Sequence, residues 1–304
     1  MNLKELSLKE NRFASGHRAC AGCGFPQIIN TVLKATDNVV ASCATGCLEV
    51  TSTVYPHTAW KVPWIHSLFE NAAATISGVE TAYNVLKRKG KVKKDIKFVA
   101  FGGDGGTYDI GLQSLSGALE RGHKFVYVLY DNEAYENTGV QRSSATPLGA
   151  ATTTSPEGKV HHGKEQFKKD ITKIMVAHNI PYVAQTTVAH WNDLYAKTEK
   201  AFNANGPAFL AVLQPCTLGW KFPGNMTMEI AKLAVESRFW PLYEVENGVY
   251  KLNYDPAKPI PVADYLKTQG RFAHLFKPEN KEILEKIQKN VDEEWEKLLK
   301  LCGK

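Results

Sequence analysis

No run of about 18 apolar residues occurs anywhere in the 304-residue sequence, so no helix in it is expected to span a membrane. The first residues, MNLKELSLKENRF, are charged and contain no apolar run. They do not read as a secretory signal, which gives the expectation of a cytoplasmic chain with no membrane partner. Internal repeats and low-complexity tracts are also missing. Excess charge of one sign is slight: 37 Lys and Arg against 31 Asp and Glu leave +6. That surplus fits either plain solubility or a surface for acidic ligands. The lysines are scattered over helix faces rather than gathered in stripes, so a nucleic-acid partner is not expected. With 43% hydrophobic and 22% charged residues the composition excludes disorder, collagen and a coiled-coil rod. A chain of this length buries most of its unfolded surface and needs neither disulfides nor a metal to fold. Its six cysteines therefore call for another explanation. In a reducing compartment, metal ligation or thiol chemistry is the usual one.

Short apolar segments alternate with helical periodicity. Residues 38–43, 97–101, 125–130, 182–187 and 208–213 read as buried strands, and 67–88, 109–120, 164–178 and 191–203 as helices. This alternation predicts an α/β fold whose mostly parallel sheet is covered by helices on both faces. After about residue 225 the pattern changes. A helix is expected over 229–236. Asn247-Gly248 between alternating residues predicts a two-residue hairpin. A proline-rich link then leads to a charged helix over 280–301, with Ile283, Ile287, Val291, Trp295 and Leu298 as its apolar stripe. The expected organisation is a cofactor-binding α/β domain over 1–225. A C-terminal extension over 226–304 is expected to pack on that domain or on another subunit.

The strongest local signal is Gly102-Gly103-Asp104-Gly105-Gly106, at the end of one strand and just before a helix. Ligands bind at carboxyl ends of strands in open α/β sheets, and glycines let the backbone approach a phosphate closely. An aspartate in such a loop repels bare phosphate. It becomes useful when a divalent cation lies between carboxylate and phosphate. The next strand ends in Asp131-Asn132, and Asn132 supplies a neutral oxygen, with a backbone carbonyl two residues on as a further ligand. Two unrelated Asx turns would leave this coincidence unexplained. Together the two strand ends form the signature of a thiamine diphosphate site with bridging Mg²⁺.

Cys20 and Cys23 form a CxxC; Cys43 and Cys47 follow in ASCATGC; Cys216 ends the last parallel strand in QPCTLGW. Strand ends of one sheet gather along one edge, which brings Cys216 within reach of the glycine–aspartate loop. A zinc ribbon normally offers a second short-spaced pair, absent here, and a redox dithiol does not need the later cysteines. Spacing alone leaves an iron–sulfur cluster, zinc and dithiol chemistry open. Cys302 has no partner pattern.

GHRACAGCG, ATGCLEV, YPHTAWKVPWIH, FGGDGGTYDIGLQSLSGALERGH, YDNEAYENTG and QRSSATP together resemble the β subunits of the 2-oxoacid:ferredoxin oxidoreductases, those acting on pyruvate above all. The resemblance covers nearly the whole chain. It implies a thiamine-diphosphate-binding fold and a [4Fe–4S] cluster on Cys20, Cys23, Cys47 and Cys216, leaving Cys43 a buried free thiol. It puts Mg²⁺ on Asp104, the Asn132 side chain and the Ala134 carbonyl. Gly103, Gly105, Gly106 and Thr138 fall on the cofactor-binding loops, and Asn137 on an asparagine near the reactive end of thiamine. The implied reaction is oxidative decarboxylation of pyruvate with coenzyme A to acetyl-CoA and CO₂, reversible, with electrons leaving through the cluster to ferredoxin. Oxalate, 2-oxoisovalerate or 2-oxoglutarate would use the same machinery. The implied partners are α, γ and δ subunits, of which α supplies the glutamate that activates the aminopyrimidine. A thiamine decarboxylase without a cluster is the alternative, separated by the colour of the protein.

Overall fold

The computed structural model describes residues 3–304 and holds one eight-stranded sheet. The strands are β1 (Val39–Ala44), β2 (Trp64–Ser67), β3 (Lys97–Gly103), β4 (Val126–Asp131), β5 (Tyr182–Thr187), β6 (Ala208–Leu213), β7 (Tyr243–Glu246) and β8 (Val249–Leu252). Their spatial order is β2-β1-β3-β4-β6-β5-β7-β8. The first six pair in parallel, while β7 and β8 add an antiparallel edge.

Every residue of β4, β5 and β6 is buried, as strands covered on both faces require. Alternate residues feed two cores. Phe98, Ala100, Tyr127 and Leu129 join Ile76 and Leu115 on one face. Val99, Phe101, Val126 and Val128 join Ile28, Ile29, Leu194 and Phe202 on the other. The helix Lys281–Leu301 lays Ile287, Val291 and Leu298 into the first core. The segment beyond residue 225 thus packs on the same sheet, and the Asn247-Gly248 hairpin forms with both residues at positive φ, 49° and 82°.

Several boundaries differ from the sequence pattern for identifiable reasons. Residues 67–71 do not join the following helix, which runs Ala72–Arg88, because Ser67 ends β2 against Ala44 and Leu68 turns outward, 61% exposed. Of the helix expected over 164–178 only Ile171–Val176 forms. Asp170 caps it by accepting from the Lys173 amide at 3.0 Å. The preceding stretch is committed elsewhere: Lys164 donates to the carbonyls of Ser144 and Thr146, and Lys168 to buried carboxylates. The helix expected over 109–120 runs Leu112–Glu120 and is preceded by a π-helical turn, Gly105–Asp109. Such wide turns recur at functional sites. Among the described residues no helix is long and apolar enough to cross a membrane.

Candidate cofactor cleft

Strand register sets out the site. Cys43 of β1 pairs Phe101 of β3, Gly103 pairs Tyr130 of β4, and Asp131 pairs Leu213 of β6. Four neighbouring strands therefore end on one edge, and the loops leaving them carry Cys47, Asp104, Asn132 and Cys216. A single cleft is lined by Gly46, Cys47, Gly103, Asp104, Gly105, Gly106, Asn132, Ala134, Asn137 and Thr138. Residues from three loops, widely separated in sequence, meet there.

Gly105 cannot carry a side chain, since a Cβ would fall 2.0 Å from the Tyr135 ring. The Tyr135 hydroxyl instead donates to the Gly105 carbonyl at 3.1 Å and ties the two loops together. Asp104 is 2% exposed and accepts from the Ser143 hydroxyl. Burial, then the nearby Asp131 carboxylate, holds its carboxyl well above the usual range. One position of the Asn132 amide lies 2.7 Å from Asp104 Oδ1 and 3.1 Å from the Ala134 carbonyl oxygen. With nitrogen there, the amide donates to both. With oxygen there, three oxygens converge, and the choice follows the chemistry of the site. Cis ligands of an octahedral Mg²⁺ at about 2.1 Å stand about 3 Å apart, so the donor set fits that cation.

Of the cysteines, Cys47 lines this cleft. The Cys20–Cys23 turn needs Gly22, whose φ is +80° and whose Cβ would meet the Gly224 carbonyl oxygen at 2.2 Å. The Thr227 hydroxyl donates to the Gly22 carbonyl at 2.6 Å, which pins the turn to the segment after Cys216. Gln214, two residues before Cys216, donates to Cys23 Sγ at 3.2 Å, and the Gly219 amide to Cys216 Sγ at 3.4 Å. Burial pushes the Cys23 thiol up to about 11 and Cys47 up to about 12, with Cys216 also raised. Cys47 feels Cys23 and Cys20, and Cys216 feels Cys47, so the four form one electrostatic neighbourhood. Buried thiols of this kind stay protonated until a metal displaces the proton. Among the described residues no three His, Cys, Asp or Glu side chains are placed to hold one metal ion. A four-iron cluster instead takes each thiolate on a different iron. Cys43 is fully buried, packs in the second core and donates to the Ala44 carbonyl; Cys302 lies at the far end of the last helix.

Glu136 went unnoticed as an individual residue in the sequence. Both its oxygens are buried without a well-formed hydrogen bond. Burial pushes its carboxyl up to about 7 against the opposing pull of Arg271 and the Cys216 thiol. Gly219 makes room for it, since a Cβ there would lie 2.1 Å from Glu136 Oε2. The only sequence signal was a carboxylate inside the YENTG loop. Asn137 and Thr138 stand exposed on the rim.

Residues 44–212 match the family described as thiamine pyrophosphate enzyme, C-terminal TPP binding domain. The sequence is 53% identical to pyruvate synthase subunit PorB of Thermotoga maritima, over 99% of this chain and 96% of that one. It is 54% identical to pyruvate synthase subunit PorB of Methanocaldococcus jannaschii, over 94% and 95%. Ketoisovalerate oxidoreductase subunit VorB of Pyrococcus abyssi is 46% identical over 98% and 95%. A solved 2-oxoglutarate:ferredoxin oxidoreductase from Magnetococcus marinus shares the fold, with a TM-score of 0.56 and 19% identity over 72% of this chain and 79% of that one. The chain belongs to the thiamine-pyrophosphate-binding β subunits of the 2-oxoacid:ferredoxin oxidoreductases, in the PorB group of pyruvate synthase subunits.

Proposed function

We propose that this β subunit serves a coenzyme-A-acylating pyruvate:ferredoxin oxidoreductase that converts pyruvate to acetyl-CoA and CO₂, reversibly. The observation that carries this reading is the meeting of Asp104, the Asn132 side-chain amide and the Ala134 carbonyl in a cleft that Cys47 also lines. Asp104, the Asn132 side chain and the Ala134 carbonyl hold Mg²⁺, and Gly103 to Gly106 bring backbone close to the diphosphate. Cys20, Cys23, Cys47 and Cys216 ligate a [4Fe–4S] cluster. When bound, thiamine diphosphate supplies the electron sink for decarboxylation, and the cluster takes electrons one at a time towards ferredoxin. This chain's part is to anchor the diphosphate end, to keep Cys47 against that anchor, to contact the cofactor through Thr138, and to present Asn137 towards the reactive end.

The rim supports a partner. Leu68, Ile110 and Leu218 flank the lining loops and are 61%, 56% and 68% exposed. Apolar residues left open around a cleft suit closure by another subunit, here α. The γ and δ subunits complete the complex, and δ passes electrons on towards ferredoxin. A second reading is 2-oxoisovalerate as substrate, favoured by the 46% identity to a ketoisovalerate oxidoreductase subunit. The complex, purified without oxygen, is assayed for coenzyme-A-dependent reduction of ferredoxin with pyruvate, 2-oxoisovalerate, 2-oxoglutarate and oxalate. Pyruvate is expected to give the highest kcat/KM, in a brown preparation. A higher value with 2-oxoisovalerate establishes the second reading, and a colourless active complex removes the cluster.

A further inference from the structure

The loop carrying Asn132 and Ala134 is held from behind by side chains that the proposed chemistry leaves unused. Glu133 stands between them with φ at +66°, in the left-handed region that long side chains rarely adopt. This bend lets the Asn132 amide and the Ala134 carbonyl, two residues apart, face each other at 3.1 Å. Glu133 has no exposed surface. Its carboxylate accepts from Lys168 Nζ at 3.0 Å and from an Arg271 terminal nitrogen at 2.5 Å, and its carbonyl accepts from the Thr146 hydroxyl at 2.7 Å.

Arg271 arrives from 138 residues away in sequence and is itself 2% exposed. Gln269 Oε1 accepts from its Nε and a terminal nitrogen, at 3.0 and 2.8 Å. The guanidinium lies 3.8 Å over the Trp220 ring, and Trp220 Nε1 donates to the Asn132 carbonyl at 2.8 Å. One buried cation therefore meets the loop twice, at Glu133 directly and at Asn132 through Trp220. Stability alone is a poor explanation, because a buried ion pair is often no better than apolar packing of the same shape. Fixing a strained bend between two ligand oxygens gives the arrangement a purpose.

We propose that Arg271 is a positioning residue for the divalent cation: by clamping Glu133 and Trp220 it holds the Asn132 and Ala134 oxygens at the angle the cation requires. This rests on the Mg²⁺–thiamine diphosphate reading above.

The test uses the whole complex, stripped of divalent cation and titrated with Mn²⁺ in the presence of thiamine diphosphate, binding being followed by electron paramagnetic resonance. Arg271→Met is expected to weaken Mn²⁺ binding by about tenfold or more, with iron content unchanged and turnover recovered at high Mg²⁺. Arg271→Lys keeps the charge but loses the fork and the stacking, and should fall between the two. Wild-type Mn²⁺ affinity in both variants overturns the proposal. So does a loss of affinity that tracks a loss of iron and of melting temperature and that Mg²⁺ does not rescue. If Arg271→Met does not accumulate, Arg271→Lys decides alone: wild-type affinity overturns the clamp, and weakened, Mg²⁺-rescued affinity supports it. A wild-type complex that binds no Mn²⁺ with thiamine diphosphate removes the cofactor-site reading instead.

Discussion

Asp104 and Cys47 line the same cleft, yet the proposed chemistry gives them different partners, so mutation can separate them. Asp104→Ala removes the one carboxylate proposed to hold the cation and should weaken thiamine diphosphate binding by about a hundredfold or more, while the cluster's visible absorbance persists. Cys47→Ala should lose iron. Cys43→Ala should keep it, because that thiol is fully buried in the second core and already donates to Ala44. Iron content and cofactor titration on the three variants check this, and iron lost from Cys43→Ala with iron kept in Cys47→Ala would reassign the ligand. Residues of this kind were legible because chemical type and position at a strand end suffice to find them. Arg271 and Glu136 were not. Arg271 matters only once the fold brings it to Glu133, and Glu136 only once Cys216 and Gly219 close around it. Neither contact leaves a local pattern.

The elements that the sequence foretold best are those whose pattern is decided by burial alone. β5, β6 and the helix Trp191–Asn203 match the expected residues, since two-sided burial and amphipathic periodicity leave no competing use for their side chains. β2 was missed: its burial is partial, its four residues Trp64–Ser67 show no apolar–polar alternation, and only pairing with β1 makes it a strand. The expected helix over 164–178 shrank because its lysines serve tertiary contacts. The β7–β8 hairpin carries a prediction of its own. Glu244 on β7 is buried, which alone would raise its carboxyl. Hydrogen bonds from Tyr182 at 2.6 Å, Lys200 at 2.9 Å and Asn253 at 3.1 Å hold it down at about 2. A depressed carboxylate contributes stability above its unfolded value, near 4.5, and loses it as pH falls towards 2. Glu244→Gln should therefore cost roughly 1–3 kcal/mol at pH 7 and progressively less below about pH 4.5. Denaturant unfolding of both forms at pH 7 and pH 3 measures it. An equal difference at the two values would mean that packing, rather than ionisation, anchors the hairpin.

At the scale of the molecule, one continuous sheet supports a cofactor site that stays open. The alternation of strands and helices announced this fold, and the four strand ends assemble the proposed diphosphate anchor. The rim of the cleft is different: Leu68, Ile110 and Leu218 are exposed, and Asn137 and Thr138 are exposed too, with no described segment of this chain covering them. A thiamine enzyme also needs a glutamate against the aminopyrimidine. Glu133 is spent on Arg271 and Lys168, and Glu136 lines the cleft beside Cys47 and Cys216. Under the proposed function the carboxylate against the aminopyrimidine comes from the α subunit. The chain produced alone and reconstituted with iron and sulfide should take up its cluster and bind Mg²⁺–thiamine diphosphate weakly. It should not turn over pyruvate until the α subunit is added, and its cofactor affinity should rise on that addition. Turnover by the β chain alone, measured as CO₂ release without oxygen, would mean that this one sheet edge holds a complete site and that the exposed rim serves something other than closure.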